Sequence, residues 1–280
     1  MIVKTGVFLS ALVALAALSV QDQRSATEIA RSTGISSAPV VPDVHSRASL
    51  GTVWLVGAPW ERDKATPDHV SFSRDGMCIR SVANVAGARP HYLPSTAPIL
   101  DADKPFYVEV SARSTSNDNS NWPAIWLMPL EHDGHRDSVA GIEHWAELDL
   151  YEGGFSRGPQ FAAHQWSGVY PHYSTKPEYL RLTTAFDATK MHRFGLSWEP
   201  ETSAITWWLD GRKSYSLNNP DVFRISAHHH FYLIMGAQKH RPQLSIFPWP
   251  MPATRILSAL ATGGSTAFTR IWEARCSPLA

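Results

Sequence analysis

Glu147-Leu148-Asp149-Leu150-Tyr151-Glu152 is the stretch on which the reading of this chain turns. It sets three carboxylates in an apolar, strand-like run, where charge is costly to place without a purpose. Side chains alternate faces along a strand, so Glu147 and Asp149 share one face and Glu152 points to the other. One extra residue, a β-bulge, returns Glu152 to the face of its two partners, and bulges are common beside active sites. Glu147 and Glu152 are then about four strand steps apart, roughly 13 Å at ~3.3 Å per step. Two glutamate side chains leaning together close that to ~5–5.5 Å, the separation at which one carboxylate attacks an anomeric carbon while the other handles the proton.

The flanks are strands as well. Val53–Val56, Val70–Phe72, Met77–Val82, Phe106–Ala112, Ile125–Leu127, Phe161–Trp166, Arg193–Trp198, Ile205–Leu209, Phe231–Met235 and Thr266–Trp272 are short and rich in β-branched or aromatic residues, as is Glu147–Tyr151 itself. Arg74-Asp75-Gly76, Asp133-Gly134, Glu199-Pro200-Glu201 and Asp210-Gly211 supply the turns between them. Asp-Gly directly after an apolar run signals a hairpin. Strands at this spacing imply an all-β chain of two stacked antiparallel sheets. A long helix has no place in this pattern, although Ala253–Leu260 fits a short one.

Composition limits what the chain does. With 25 basic and 25 acidic residues the formal charge is zero, so nothing favours nucleic acid or an anionic membrane as a partner. Residues 1–19 read as a secretory signal peptide: Lys4, an apolar run from Val7, and small residues around Ala17-Leu18-Ser19. The competing reading, an uncleaved anchor, asks a run of about 14 residues to cross a bilayer that needs about 20. Residues 20–48, rich in Ser, Ala, Thr and Val without an amphipathic period, read as a flexible lead-in. Residues 49–280 then form a single domain, expected to be a secreted monomer, extracellular or periplasmic. Cys78 and Cys276 either pair across a long loop or remain two buried thiols.

Beyond the acidic stretch, Asn121-Trp122-Pro123-Ala124-Ile125-Trp126-Leu127-Met128-Pro129 lies upstream, and His192-Arg193-Phe194-Gly195-Leu196-Ser197-Trp198 leads into Ile205-Thr206-Trp207-Trp208-Leu209-Asp210-Gly211. Together these segments resemble glycoside hydrolase family 16 in its bulged Glu-x-Asp-x-x-Glu subgroup, over about residues 52 to 276. The resemblance implies a β-jelly-roll sandwich with a substrate cleft across its concave sheet. It implies Glu147 as nucleophile, Glu152 as general acid/base and Asp149 as the residue that orients the nucleophile. It also implies Trp126 beneath the cleavage point and His164 within reach of the carboxylates; the alternative for His164 is a satisfied histidine between the sheets. Trp145 and Trp166 flank the acidic strand, either touching sugar or filling the core.

No metal or cofactor is expected. His228-His229-His230 are consecutive, so strand alternation separates them. The segment from His132 to Asp137 reads as a solvated loop bordering the cleft. Where many members of the family place a calcium-binding Asp in the last strand, this chain has Ala267. The expected partner is a β-linked polysaccharide. The Trp122–Pro129 segment resembles β-1,3-glucanases (laminarinases), whereas Pro67–Phe72, Lys104–Val110 and Phe247–Pro252 resemble agarases and porphyranases, and the balance leans to a red-algal galactan. A transglycosylase would use the same carboxylates. A non-catalytic carbohydrate-binding sandwich would have no reason to keep all three.

Overall fold

The acidic stretch lies in the middle of a sheet. A computed structural model describes residues 23–36, 38, 40, 43–57, 67–73, 76–79, 91–96, 99–114, 121–134, 144–154, 160–169, 172–182 and 186–239. Its strands are β1 (Val70–Ser73), β2 (Gly76–Ile79), β3 (His91–Pro94), β4 (Leu100–Asp101), β5 (Phe106–Ala112), β6 (Asn121–Pro129), β7 (His144–Glu152), β8 (Gln160–Val169), β9 (His172–Arg181), β10 (His192–Glu199), β11 (Ala204–Leu209), β12 (Arg212–Asn218) and β13 (His230–Lys239). Three short helices join them: α1 (Ala26–Ser32), α2 (Leu130–Gly134) and α3 (Pro220–Ser226).

A seven-stranded antiparallel sheet runs β3-β13-β6-β7-β8-β9, with β4 also paired to β13. A four-stranded sheet runs β12-β11-β10-β5, and β1-β2 is a separate pair. Between the two main sheets lies one core. Ile125, Leu127, Leu148, Leu150, Phe161, Phe231 and Leu233 come from one side, and Phe106, Val108, Phe194, Leu196, Trp198 and Trp207 from the other. Each set is every second residue of its strand, as alternation requires. The expected β-jelly-roll sandwich is the fold observed.

Turn chemistry explains one hairpin directly. Asp210 and Gly211 both have positive φ, 54° and 77°, the conformation of a tight turn between twisted strands. Asp210 is further pinned to the start of β10, accepting from the Arg193 backbone N–H at 2.9 Å and meeting His192 Nδ1 at 2.8 Å.

Several expectations change. Val53–Val56 is no strand; Trp54 makes only isolated bridges to Leu50 and Ser95. Strands β3, β4, β9 and β12 had not been anticipated. The lead-in at 20–48 contains α1, seated on the outer side of the four-stranded sheet. Ile29 of α1 is fully buried in a cluster with Ala26, Ala30, Ile35, Tyr107 and Trp208. The helix starts at a capping box, in which Ser25 and Glu28 satisfy each other's backbone N–H groups. Beneath it Glu109, 1% exposed, accepts from Arg193 at 2.9 and 2.8 Å and from the Tyr107 hydroxyl at 2.8 Å. Gly195 lets the Tyr107 ring lie across β10 to reach that carboxylate, since a Cβ there would collide with the phenol. Cys78 is disulfide-bonded. Cys276, Ala267, the expected helix 253–260, the strand 266–272 and residues 1–19 lie outside the described residues.

Candidate active site

The bulge sits where the sequence required it. Ile125 pairs with Tyr151, but the next residue of β6, Trp126, pairs with Asp149, so β7 carries one extra residue. The β7–β8 register shifts between Asp149 and Glu152 as well. Leu150 and Tyr151 consequently both enter the core, where Tyr151 stacks on Phe194 at 4.3 Å. Glu152 is thereby returned to the face of Glu147 and Asp149. A bulge leaves a backbone group out of the ladder. Trp207 of the opposite sheet donates its indole N–H to the Asp149 carbonyl at 2.9 Å, across the full thickness of the core.

Glu147 and Glu152 each accept from side-chain donors, whereas Asp149 Oδ2 is buried without one among the described residues. Glu147 Oε2 accepts from Trp166 Nε1 at 2.8 Å. Glu152 accepts from Gln160 Nε2 at 2.8 Å and from Trp122 Nε1 at 3.2 Å. His164 Nε2 lies 3.2 Å from Asp149 Oδ2, while its Nδ1 meets Thr175 Oγ1 at 3.3 Å. The second contact fixes the ring, so that Nε2 points at the aspartate. His164 belongs to the carboxylate row and not to the space between the sheets.

The rings divide into support and surface. Trp145 is 2% exposed and lies between His132 at 4.1 Å and Trp166 at 5.8 Å, stacked on both. Both of its faces are used, so Trp145 is packing behind the site and not a sugar platform. Trp126, opposite Asp149 in register, is buried with Met128, Tyr232 and Ile234 and forms the floor. Trp166 keeps partial exposure and presents its N–H to Glu147. His132 is buried in α2 and is not part of a solvated loop. His228 and His230 each face a different carboxylate, Asp103 and Glu131, at 2.6 Å.

Electrostatics couples the row. Burial, then the charge of Asp149, pushes Glu147 up to about 8. Burial, then the charge of Glu152, holds Asp149 well above the usual carboxylate range. Burial also raises Glu152, against the opposing pull of the Gln160 donor, His164 and Trp122. Three such groups cannot all ionise in one dry row, so they share protons as a set. Asp149 is nearly fully enclosed. A proton on it removes the nearest charge opposing Glu147 and eases ionisation of Glu147 beside the Trp166 N–H, while burial, the larger cause, continues to hold Glu147 up. Glu147, Asp149 and His164 also offer ligand atoms within 4.8 Å of one another, so a cation could be held there, a grouping the sequence reading did not foresee.

Of the residues singled out from sequence, the structure brings Glu147, Asp149, Glu152, His164 and Trp166 together. Sequence reasoning missed Gln160, Trp122 and Thr175 as their partners. Trp122 was legible, since it lies four residues from Trp126 and so on the same face of β6. Gln160 was not, because only the register beyond the bulge places it opposite Glu152.

No family model and no curated protein matches this chain. Solved structures do. One belongs to endo-acting O-glycanases that prominent members of the human gut microbiota express to initiate mucin breakdown; it is 17% identical, with TM-score 0.51, covering 78% of this chain and 88% of that one. Another is the κ-carrageenase of Pseudoalteromonas carrageenovora with a bound carrageenan oligosaccharide, 13% identical, TM-score 0.49, covering 79% and 86%. A third is a Bacteroides ovatus endo-glucanase of glycoside hydrolase family 16, 16% identical, TM-score 0.45, covering 67% and 81%. At 17% identity, what the first of these shares with this chain is the fold alone.

Proposed function

We propose that this chain is a retaining endo-β-glycanase of glycoside hydrolase family 16, exported from the cell and acting as a monomer on a β-linked polysaccharide. The observation that carries the reading is the bulge, which gathers Glu147, Asp149 and Glu152 on one face while Leu150 and Tyr151 anchor in the core. The disulfide at Cys78 supports an oxidising compartment.

Glu147, ionised, attacks the anomeric carbon as Glu152 passes its proton to the departing glycosidic oxygen. A glycosyl ester of Glu147 results. Its formation removes the Glu147 charge, and Glu152 then takes a proton from the incoming water, whose oxygen displaces Glu147. Asp149, steadied by His164, orients the nucleophile and holds the proton that Glu147 must not carry. The segments resembling agarases and porphyranases support a red-algal galactan; the Trp122–Pro129 segment of β6, which resembles laminarinases, favours a β-1,3-glucan as the alternative.

Reducing-end release from agarose, porphyran, carrageenan, laminarin and mixed-linkage glucan tests the reading. Oligosaccharides from one polymer are expected, with Glu147→Gln and Glu152→Gln each reducing turnover at least about 10³-fold. Near-wild-type turnover in Glu147→Gln would remove it from the nucleophile's role. Products longer than the substrate would mark a transglycosylase instead.

A further inference from the structure

We propose that the β9 side of the site binds a pyranose ring carrying an anionic group, with Tyr179 as the ring's platform and Arg181 as the counter-ion. This inference rests on the glycan-cleaving reading above. Glu147 and Glu152 lie along one strand, and the bond to be broken lies between them. The sugar chain therefore crosses β7 and passes over β8 and β9 on one side. In register, Asp149 is followed by Ala162 on β8 and Tyr179 on β9, two strand spacings or about 9.6 Å away. Ala162 is itself fully buried, so the next exposed side chain along that line is Tyr179.

Tyr179 is the most exposed aromatic of this face among the described residues. It is 50% exposed, whereas Trp126 and Trp145 are buried. Its ring meets His164 edge-on, with centroids 5.4 Å apart at 85°, and a perpendicular contact cannot cover both faces of the phenol. Burial and then the charges of Glu152, Asp149 and Glu147 raise its hydroxyl pKa, with Arg181 opposing, so the phenol lies within the field of both the carboxylates and the Arg181 guanidinium. A free aromatic face beside polar groups is what the apolar face of a sugar requires.

Arg181 supplies the charge. It pairs with Gln160, shares that residue's face and Glu152's row, and is exposed. Two strand steps separate it from Tyr179, about 6.6 Å. A row of carboxylates repels an anionic chain, and a guanidinium at the row's outer end offsets that repulsion and grips sulfate or carboxylate through paired N–H donors.

The test is kcat and KM of wild type, Tyr179→Ala, Tyr179→Phe and Arg181→Gln on porphyran, on desulfated porphyran and on a short aryl β-glycoside that ends before β9. Tyr179→Ala should raise KM about tenfold on both polymers, leave the aryl glycoside within about twofold, and be rescued by Tyr179→Phe. Arg181→Gln should raise KM about tenfold on the sulfated chain alone. Equal loss on short and long substrates in Tyr179→Ala, with a shifted pH profile, would reduce the ring to a support for His164 and overturn the proposal. No effect of Arg181→Gln on the sulfated chain would overturn it too. If wild type cuts none of these, the cleavage reading fails by itself. Affinity electrophoresis through the same polymers then still decides, because retardation unchanged in both variants refutes the subsite and retardation lost in both sustains it.

Discussion

At the scale of single residues, the carboxylate row combines poor solvation with close like charges, and this has a consequence for stability as well as for chemistry. Glu147 rises from 4.5 to about 8 on folding. The folded state therefore binds more protons than the unfolded state between these two values. Its contribution is fully present below the unfolded pKa and is lost as pH rises through the folded one. The wild-type melting temperature should fall between about pH 5 and 8. Glu147→Gln, which has no charge to bury, should show a flatter profile and be the more stable protein at pH 8, by on the order of 3 kcal/mol. Thermal denaturation of both proteins across that range checks the sign; parallel profiles would mean that Glu147 is well solvated. A site that favours the protonated fold stores its reactivity as instability at high pH.

At the scale of elements, β7 was the most legible part of the chain because its alternation fails at one place only. Glu152 falls on the wrong face of a regular strand, and a bulge is the smallest change that mends this. The partners of β7 were harder to read. Strand β9, with Thr175, Lys176, Pro177 and Glu178 in its middle, lacks apolar alternation because it lies outermost among the described strands of its sheet. Pro177 is tolerated there since an outer strand has a side on which an N–H has no ladder partner. Helix α1 escaped for a different reason. Two turns with one large apolar residue, Ile29, give no period to detect, although the Ser25–Glu28 capping box was visible. That single residue carries the docking of the helix. Ile29→Ala is expected to cost about 2–4 kcal/mol in denaturant unfolding while leaving kcat at 25 °C unchanged. A variant of wild-type stability would show that the helix is seated by the Arg193 and Glu109 contacts beneath it instead.

At the scale of the whole molecule, the two sheets meet in the site's own backbone. Trp207 belongs to the four-stranded sheet, yet its indole N–H holds the carbonyl of Asp149 in the other. Trp207→Phe keeps an aromatic ring, though a smaller one, and strands a buried carbonyl, a loss of at least about 1–3 kcal/mol. It should lower kcat more than it raises KM, because the acceptor lies at the bulge and not where sugar binds; a change in KM alone would contradict that. The fold also separates the two tasks of the site in space. Strands β6, β7 and β8, which carry Trp122, the three carboxylates, Gln160 and His164, are flanked on both sides, whereas β9 with Tyr179 and Arg181 lies outermost among the described strands. Interior strands open only with the fold, and outer ones open locally. Descendants of such a chain could exchange the outer strand's side chains, and with them their diet of glycans, without disturbing the reaction; the same division tells a protein engineer which strand to randomise.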